Sequence, residues 1–204
     1  MLRGAELLAT LATTPQSVLD CFLFRAVDLE ALYGFHQTPP YPSPRPLYSL
    51  GSPKNGGRFT PQGGPKSLYM AVDAETALAE ASQVSDIVLA IKPAIAPAPT
   101  APKVMYSAKA YLATVFDSTL PANQSAISTS LIELISPWRN VVGVAPTHEL
   151  GQAVFDSGRY QAILFPSSKK QGHACVVIFT DRLTPPAFIE VYDPQGNLKE
   201  RIPS

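Results

Sequence analysis

An excess of charge of either sign is missing from this chain. Sixteen basic and sixteen acidic residues leave a formal net charge of zero over 204 residues, with no Lys/Arg run. A protein that holds a nucleic-acid backbone needs a basic face, so direct nucleic-acid binding is not expected of it. Cysteine is nearly absent: Cys21 and Cys175 stand alone in apolar, strand-like segments. They suit small buried hydrophobes in a reducing compartment better than a disulfide framework. No apolar run reaches the roughly eighteen residues of a membrane span. The opening Met1-Leu2-Arg3-Gly4-Ala5-Glu6 carries an early acid and no small-residue cleavage site after a hydrophobic run. A cytoplasmic protein with no membrane partner is therefore expected. Three histidines, His36, His148 and His173, form neither a CxxC pair nor a ligand set with the cysteines, and no metal is expected. His148 reads as a surface or cap-adjacent residue. Rossmann and P-loop patterns are missing too: GGRFTPQGG at 56–64 lacks their spacing and the lysine.

Proline is what the chain has in excess, at 21 residues about twice the usual share. Five prolines between positions 39 and 46 remove too many amide donors for sheet or helix, so 38–46 is an extended surface loop, and 92–102 is a Pro/Ala insertion. The length suits one domain over 1–204. Apolar spacing predicts a helix over 4–13, a second short helix, and a strand over 21–27 that contains Arg25. Further strands are expected at 67–71, 86–91, 103–116, 161–165, 174–180 and 187–192, with helices at 74–84 and 124–135 and Trp138 in the core. Thr147 reads as the N-cap of a helix that Gly158 ends. Long loops and mixed connections favour an α+β fold, a mixed, largely antiparallel sheet with flanking helices, over a doubly wound sheet.

The segment from Gly56 to Glu80 says most about function. Gly56-Gly57-Arg58-Phe59 lets backbone approach a ligand closely. Ser67-Leu68-Tyr69-Met70-Ala71 makes a strand in which Tyr69 faces opposite to Leu68 and Met70. Asp73 caps a helix whose apolar face is Ala74, Ala77, Leu78, Ala81 and Val84, leaving Glu80 on its rim, half buried.

In order and spacing, Leu23-Phe24-Arg25, Gly56-Gly57-Arg58-Phe59, Leu68-Tyr69-Met70-Ala71, Thr76-Ala77-Leu78-Ala79-Glu80, Ser157-Gly158-Arg159 and Ile163-Leu164-Phe165-Pro166-Ser167 through Val177-Ile178-Phe179 resemble the RES family, over most of 22–180. Members share an Arg, a Glu and a Ser. The resemblance implies an ADP-ribosyltransferase-like fold, an NAD-consuming toxin and a partner antitoxin with an Xre-like helix-turn-helix region. It implies a catalytic set of Glu80, Arg25 and Ser167, with Arg25, Arg58, Tyr69 and Ser167 holding NAD. The chain departs from the pattern at Ala26 and Val27, where toxin members often carry an aromatic after the first Arg.

Losing nicotinamide from NAD leaves positive character on the ribose, and a carboxylate such as Glu80 stabilises it. The bland reading is a solvated helix residue. Arg25 and Arg58 either grip the pyrophosphate in bidentate fashion or sit in structural ion pairs. Tyr69 either presents its ring to nicotinamide or belongs to the core. Ser167 orients a ligand or Glu80, or simply forms a turn; no nucleophile elbow surrounds it. A Cys/His hydrolase built on His173 and Cys175 remains formally open. The alternative of another class is a catalytically silent binding or interaction module with a RES-like fold.

Overall fold

The computed structural model describes residues 1–33, 43–82 and 102–204. Seven strands form one sheet: β1 (Ser17–Asp28), β2 (Ser67–Ala71), β3 (Lys103–Asp117), β4 (Ala162–Pro166), β5 (Ala174–Phe179), β6 (Phe188–Tyr192) and β7 (Arg201–Ile202). Their order is β1-β2-β5-β4-β3-β6-β7, and β1 also pairs with β3, so pairing runs in a ring through β1, β2, β5, β4 and β3. Every pairing is antiparallel except β3 with β4. The expected mixed, largely antiparallel sheet is the one observed.

Period-two alternation sorts side chains to the two faces. In β5, Val176 and Ile178 join Leu68, Met70, Ala108, Ala110 and Leu112 in one core cluster. Cys175, Val177 and Phe179 join Phe165, Phe116 and the helices in the other. Helix α1 (Gly4–Thr13) contributes Leu7 and Leu11, one turn apart and fully buried. Helices α2 (Leu29–Tyr33) and α3 (Gly51–Asn55) are single short turns, and neither was foreseen. Helix α4 (Ala74–Ala81) begins as expected at Asp73, whose carboxylate accepts from the Thr76 amide at 2.8 Å.

Several sequence expectations are corrected. No second helix lies between α1 and β1, because Ser17 already pairs with Val115 of β3. Leu78 is 45% exposed while Thr76 and Ala77 are buried, so the buried face of α4 lies about one residue back from its expected place. The helix expected over 124–135 is two: α5 (Pro121–Ala126) and α6 (Leu131–Ile135). Ser128 takes a φ of 52° between them, and Ser130 caps the second by accepting from the Glu133 amide at 3.3 Å. Helix α7 (Pro146–Asp156) starts two residues earlier than expected. Pro146 supplies a preset first turn, Ala145 is the cap, and Thr147 is buried inside, its Oγ1 without a partner among the described residues. Gly158, with φ of 67°, does stand just past its end. The strand expected at 86–91, Val84, His36, and the greater parts of 38–46 and 92–102 lie outside the described residues. Among the described residues, no helix is long and apolar enough to cross a membrane.

Candidate functional site

On the helix-bearing face of the sheet, register brings three strands to one point. Tyr69 lies opposite Val177, while Ala71 and Phe165 both lie opposite Cys175. A cavity of about 360 Å³ opens there, within the range of small-molecule sites. Arg25, Arg58, Tyr69 and Glu80 all line it. Ser167 does not line it; it stands behind Glu80.

Glu80 comes from the last turn of α4 and is held from the β4–β5 turn. Its Oε1 accepts from Ser167 Oγ at 2.6 Å and from the Ser168 amide at 3.0 Å. Among the described residues its Oε2 has only a long contact, 3.5 Å, with Ser168 Oγ. Ser167 is 5% exposed, and its hydroxyl also accepts from the amides of Lys169 and Lys170, both at 3.1 Å. Two N–H groups occupy the oxygen and the one proton goes to Glu80, so the direction of this hydroxyl is forced. Such a serine positions a carboxylate and has no free proton arrangement for nucleophilic attack.

Arg58 is 8% exposed, and its Nη1 donates to the carbonyls of Leu134 at 2.9 Å and Ser136 at 2.8 Å. Burial lowers its pKa, the charge of Glu80 partly offsets this, and Arg139 adds to the lowering. Arg25 forms no ion pair among the described residues. Its Nη1 donates to the Pro46 carbonyl at 2.9 Å and to Tyr106 Oη at 3.2 Å. The structural salt bridge weighed for each arginine is thus replaced by carbonyl acceptors, which fix one nitrogen of each guanidinium without neutralising it.

Tyr69 is fixed through its hydroxyl. Ser67 Oγ donates to the Pro65 carbonyl and Thr60 Oγ1 donates to Ser67 Oγ, so Tyr69 must donate to Thr60 Oγ1 at 2.9 Å. It accepts from the Phe59 amide at 2.9 Å. Burial pushes this phenol up to about 12, the bond from the Phe59 amide notwithstanding. The ring is what remains for a ligand. Gly57 lies flat against that ring: a Cβ there would stand 2.6 Å from Tyr69 Oη.

Three residues of the site were not foreseen in these roles. Trp138, expected in the core, is only partly buried and lines the cavity with Arg139. His148 is cap-adjacent, in the first turn of α7, and turned inward: its Nε2 donates to the Gly57 carbonyl at 2.8 Å, and its ring packs on Trp138 with centroids 5.0 Å apart. The sequence signal was slight, a lone Trp between Pro137 and Arg139 where the helical pattern fails. The Cys/His arrangement dissolves. His173 Nδ1 pairs with Asp73 at 2.8 Å, and Cys175, on the cavity wall, is pushed up to about 12 by burial and then by the Glu80 charge. That thiol is inert at neutral pH. Among the described residues no cluster of three His, Cys, Asp or Glu could hold a metal ion.

A model of the RES domain matches residues 31–199, a span that holds Arg58, Tyr69, Glu80 and Ser167 and begins after Arg25. The structure is similar to a chain in the crystal structure of the M. tuberculosis MbcT–MbcA toxin–antitoxin complex. The TM-score is 0.65 at 14% identity, over 93% of this chain and 91% of that one. No curated protein matches the sequence.

Proposed function

The chain belongs to the RES domain family, and from that premise we propose that it is a toxin which consumes NAD by breaking the bond between nicotinamide and ribose. The observation that carries the reading is the Glu80 carboxylate, fixed at Oε1 by Ser167 and Ser168 and set in one cavity with Arg25, Arg58 and Tyr69. In the reaction the ribose C1′–N bond breaks and its electron pair leaves with nicotinamide, which departs neutral. The ribose carbon takes on oxocarbenium character and bonds to an oxygen of the acceptor, whether water, phosphate or a protein side chain, and the acceptor's proton is released.

Glu80 counters the developing charge. Because two donors already hold Oε1, the carboxylate needs no reorganisation as that charge appears, the condition under which electrostatic stabilisation is largest. Oε2, with a single long contact among the described residues, is the oxygen available to the ribose 2′-hydroxyl. Arg25 and Arg58 grip the pyrophosphate with the guanidinium nitrogens that their carbonyl partners leave over. Tyr69, neutral and anchored at its hydroxyl, offers its ring to the cationic pyridinium.

A cytoplasmic site of action, where NAD is abundant, and restraint by an antitoxin with an Xre-like region complete the proposal; a toxin–antitoxin complex is what the similar solved structure contains. Purified protein incubated with NAD, with products resolved by mass, tests it. Released nicotinamide supports the reading and the companion product names the acceptor. Binding of NAD without release would favour the silent module instead.

A further inference from the structure

The cavity is unbalanced in charge, although the chain as a whole is neutral. Among the described residues, three guanidinium groups, Arg25, Arg58 and Arg139, face one carboxylate, Glu80. Arg25 and Arg58 are tied to backbone carbonyls. Arg139 is different. It is exposed, it has no carboxylate and no hydrogen-bond acceptor among the described residues, and it lies over the indole of Trp138 at 4.3 Å from the ring centroid. The indole is itself braced by His148, which also holds Gly57 beside Arg58. The guanidinium is thus carried on a fixed platform at the rim of the cavity with its donors unfilled, a state in which a planar fork is preorganised for an anion.

We propose that Trp138 and Arg139 form a phosphate-binding arm of this site, outside the motif residues, in which Arg139 takes a phosphate group of a bound nucleotide. The proposal rests on the reading of the cavity as an NAD site, and it adds a contact that selects ligands carrying phosphate over those that do not. Trp138, which lines the cavity, is the chain's sole tryptophan. Its emission therefore reports on this spot alone, whether or not any reaction occurs.

The full chain is titrated with NAD, ADP-ribose, nicotinamide riboside and inorganic phosphate while Trp138 emission is followed. NAD and ADP-ribose are expected to change the emission at saturable midpoints, and the phosphate-free riboside to bind at least tenfold more weakly. Arg139→Gln is expected to raise the NAD and ADP-ribose midpoints about tenfold or more, the weight of one charge-assisted hydrogen bond, with the riboside midpoint and the melting temperature unchanged. Arg139→Lys keeps the charge without the stacked fork and is expected to fall between. Unchanged NAD and ADP-ribose midpoints in Arg139→Gln would overturn the arm, even if NAD is consumed normally. An Arg139-dependent response to inorganic phosphate but to neither nucleotide would overturn it in favour of a free-anion site. If ADP-ribose binds through Arg139 while NAD is never cleaved, the arm stands and the NAD-consuming reading falls.

Discussion

Replacing Ser167 by alanine separates a positioning role from a merely structural one. The change removes a 2.6 Å bond to a charged acceptor in a residue only 5% exposed, and it takes away the acceptor of the Lys169 and Lys170 amides. A hydrogen bond to a charged group contributes about 1.5–3 kcal/mol. If that full amount is lost from the transition state, kcat falls roughly 10- to 100-fold, while KM for NAD changes little because Ser167 does not line the cavity. The Ser168 amide still holds Oε1, which places the expectation nearer the lower figure. A drop in melting temperature of a few degrees accompanies it, since the turn loses its central acceptor. The decisive assay is a double-mutant cycle on nicotinamide release: Ser167→Ala made in a Glu80→Gln background should cost little further, because the group it positions is already disabled. Additive losses, or an unchanged kcat beside a lowered melting temperature, would refute the positioning argument and leave Ser167 a turn residue.

Arg58→Lys keeps the charge but loses the fork that reaches both carbonyls and the cavity, so NAD affinity should fall by roughly 1 to 3 kcal/mol; a variant that melts early but binds normally would place Arg58 in the scaffold. Asp73→Ala removes the cap of α4 and should cost about 1 kcal/mol in denaturant unfolding, whereas Asp73→Asn should retain most of it. Partial burial opposes ionisation of Asp73, but bonds from Thr76 and His173 hold its pKa near 2 against an ordinary 3.8. The stability it adds is therefore fully present above about pH 4 and is lost as pH falls through about 2, and Asp73→Ala should flatten the unfolding profile in that window. Gly151→Ala would put a Cβ 1.7 Å from the Phe59 carbonyl oxygen, so α7 has to back away, and a loss of about 1–3 kcal/mol or more is expected by thermal unfolding.

Where the sequence was legible, the signal was local. Asp73, Tyr69 and Glu80 fall in one strand-turn-helix segment, so capping and period-two alternation are enough to orient them. Arg58 between its glycine pairs was visible too, although its carbonyl partners at the C-terminal end of α6 were not. Trp138 and Arg139 line the cavity, and His148 backs Trp138, where Ser128 and Ser130 have broken a helix whose apolar pattern runs on through 124–135 and Pro146 then starts α7 early. Hydrophobic spacing carries no sign of such a break, since the competing serine caps act through single hydrogen bonds. The hold of Ser167 on Glu80 spans 87 positions, and no spacing rule reaches that far.

Nicotinamide release by wild-type protein and by Glu80→Gln, each from a preparation shown to melt and to bind NAD alike, tests the central claim most directly. The swap keeps the size of the side chain and an acceptor for Ser167 while removing the charge. The account predicts measurable release by the wild type and a loss on the order of a hundredfold or more in the variant. Near-wild-type release by Glu80→Gln, or none by the wild type with water, phosphate and protein acceptors all supplied, would contradict it.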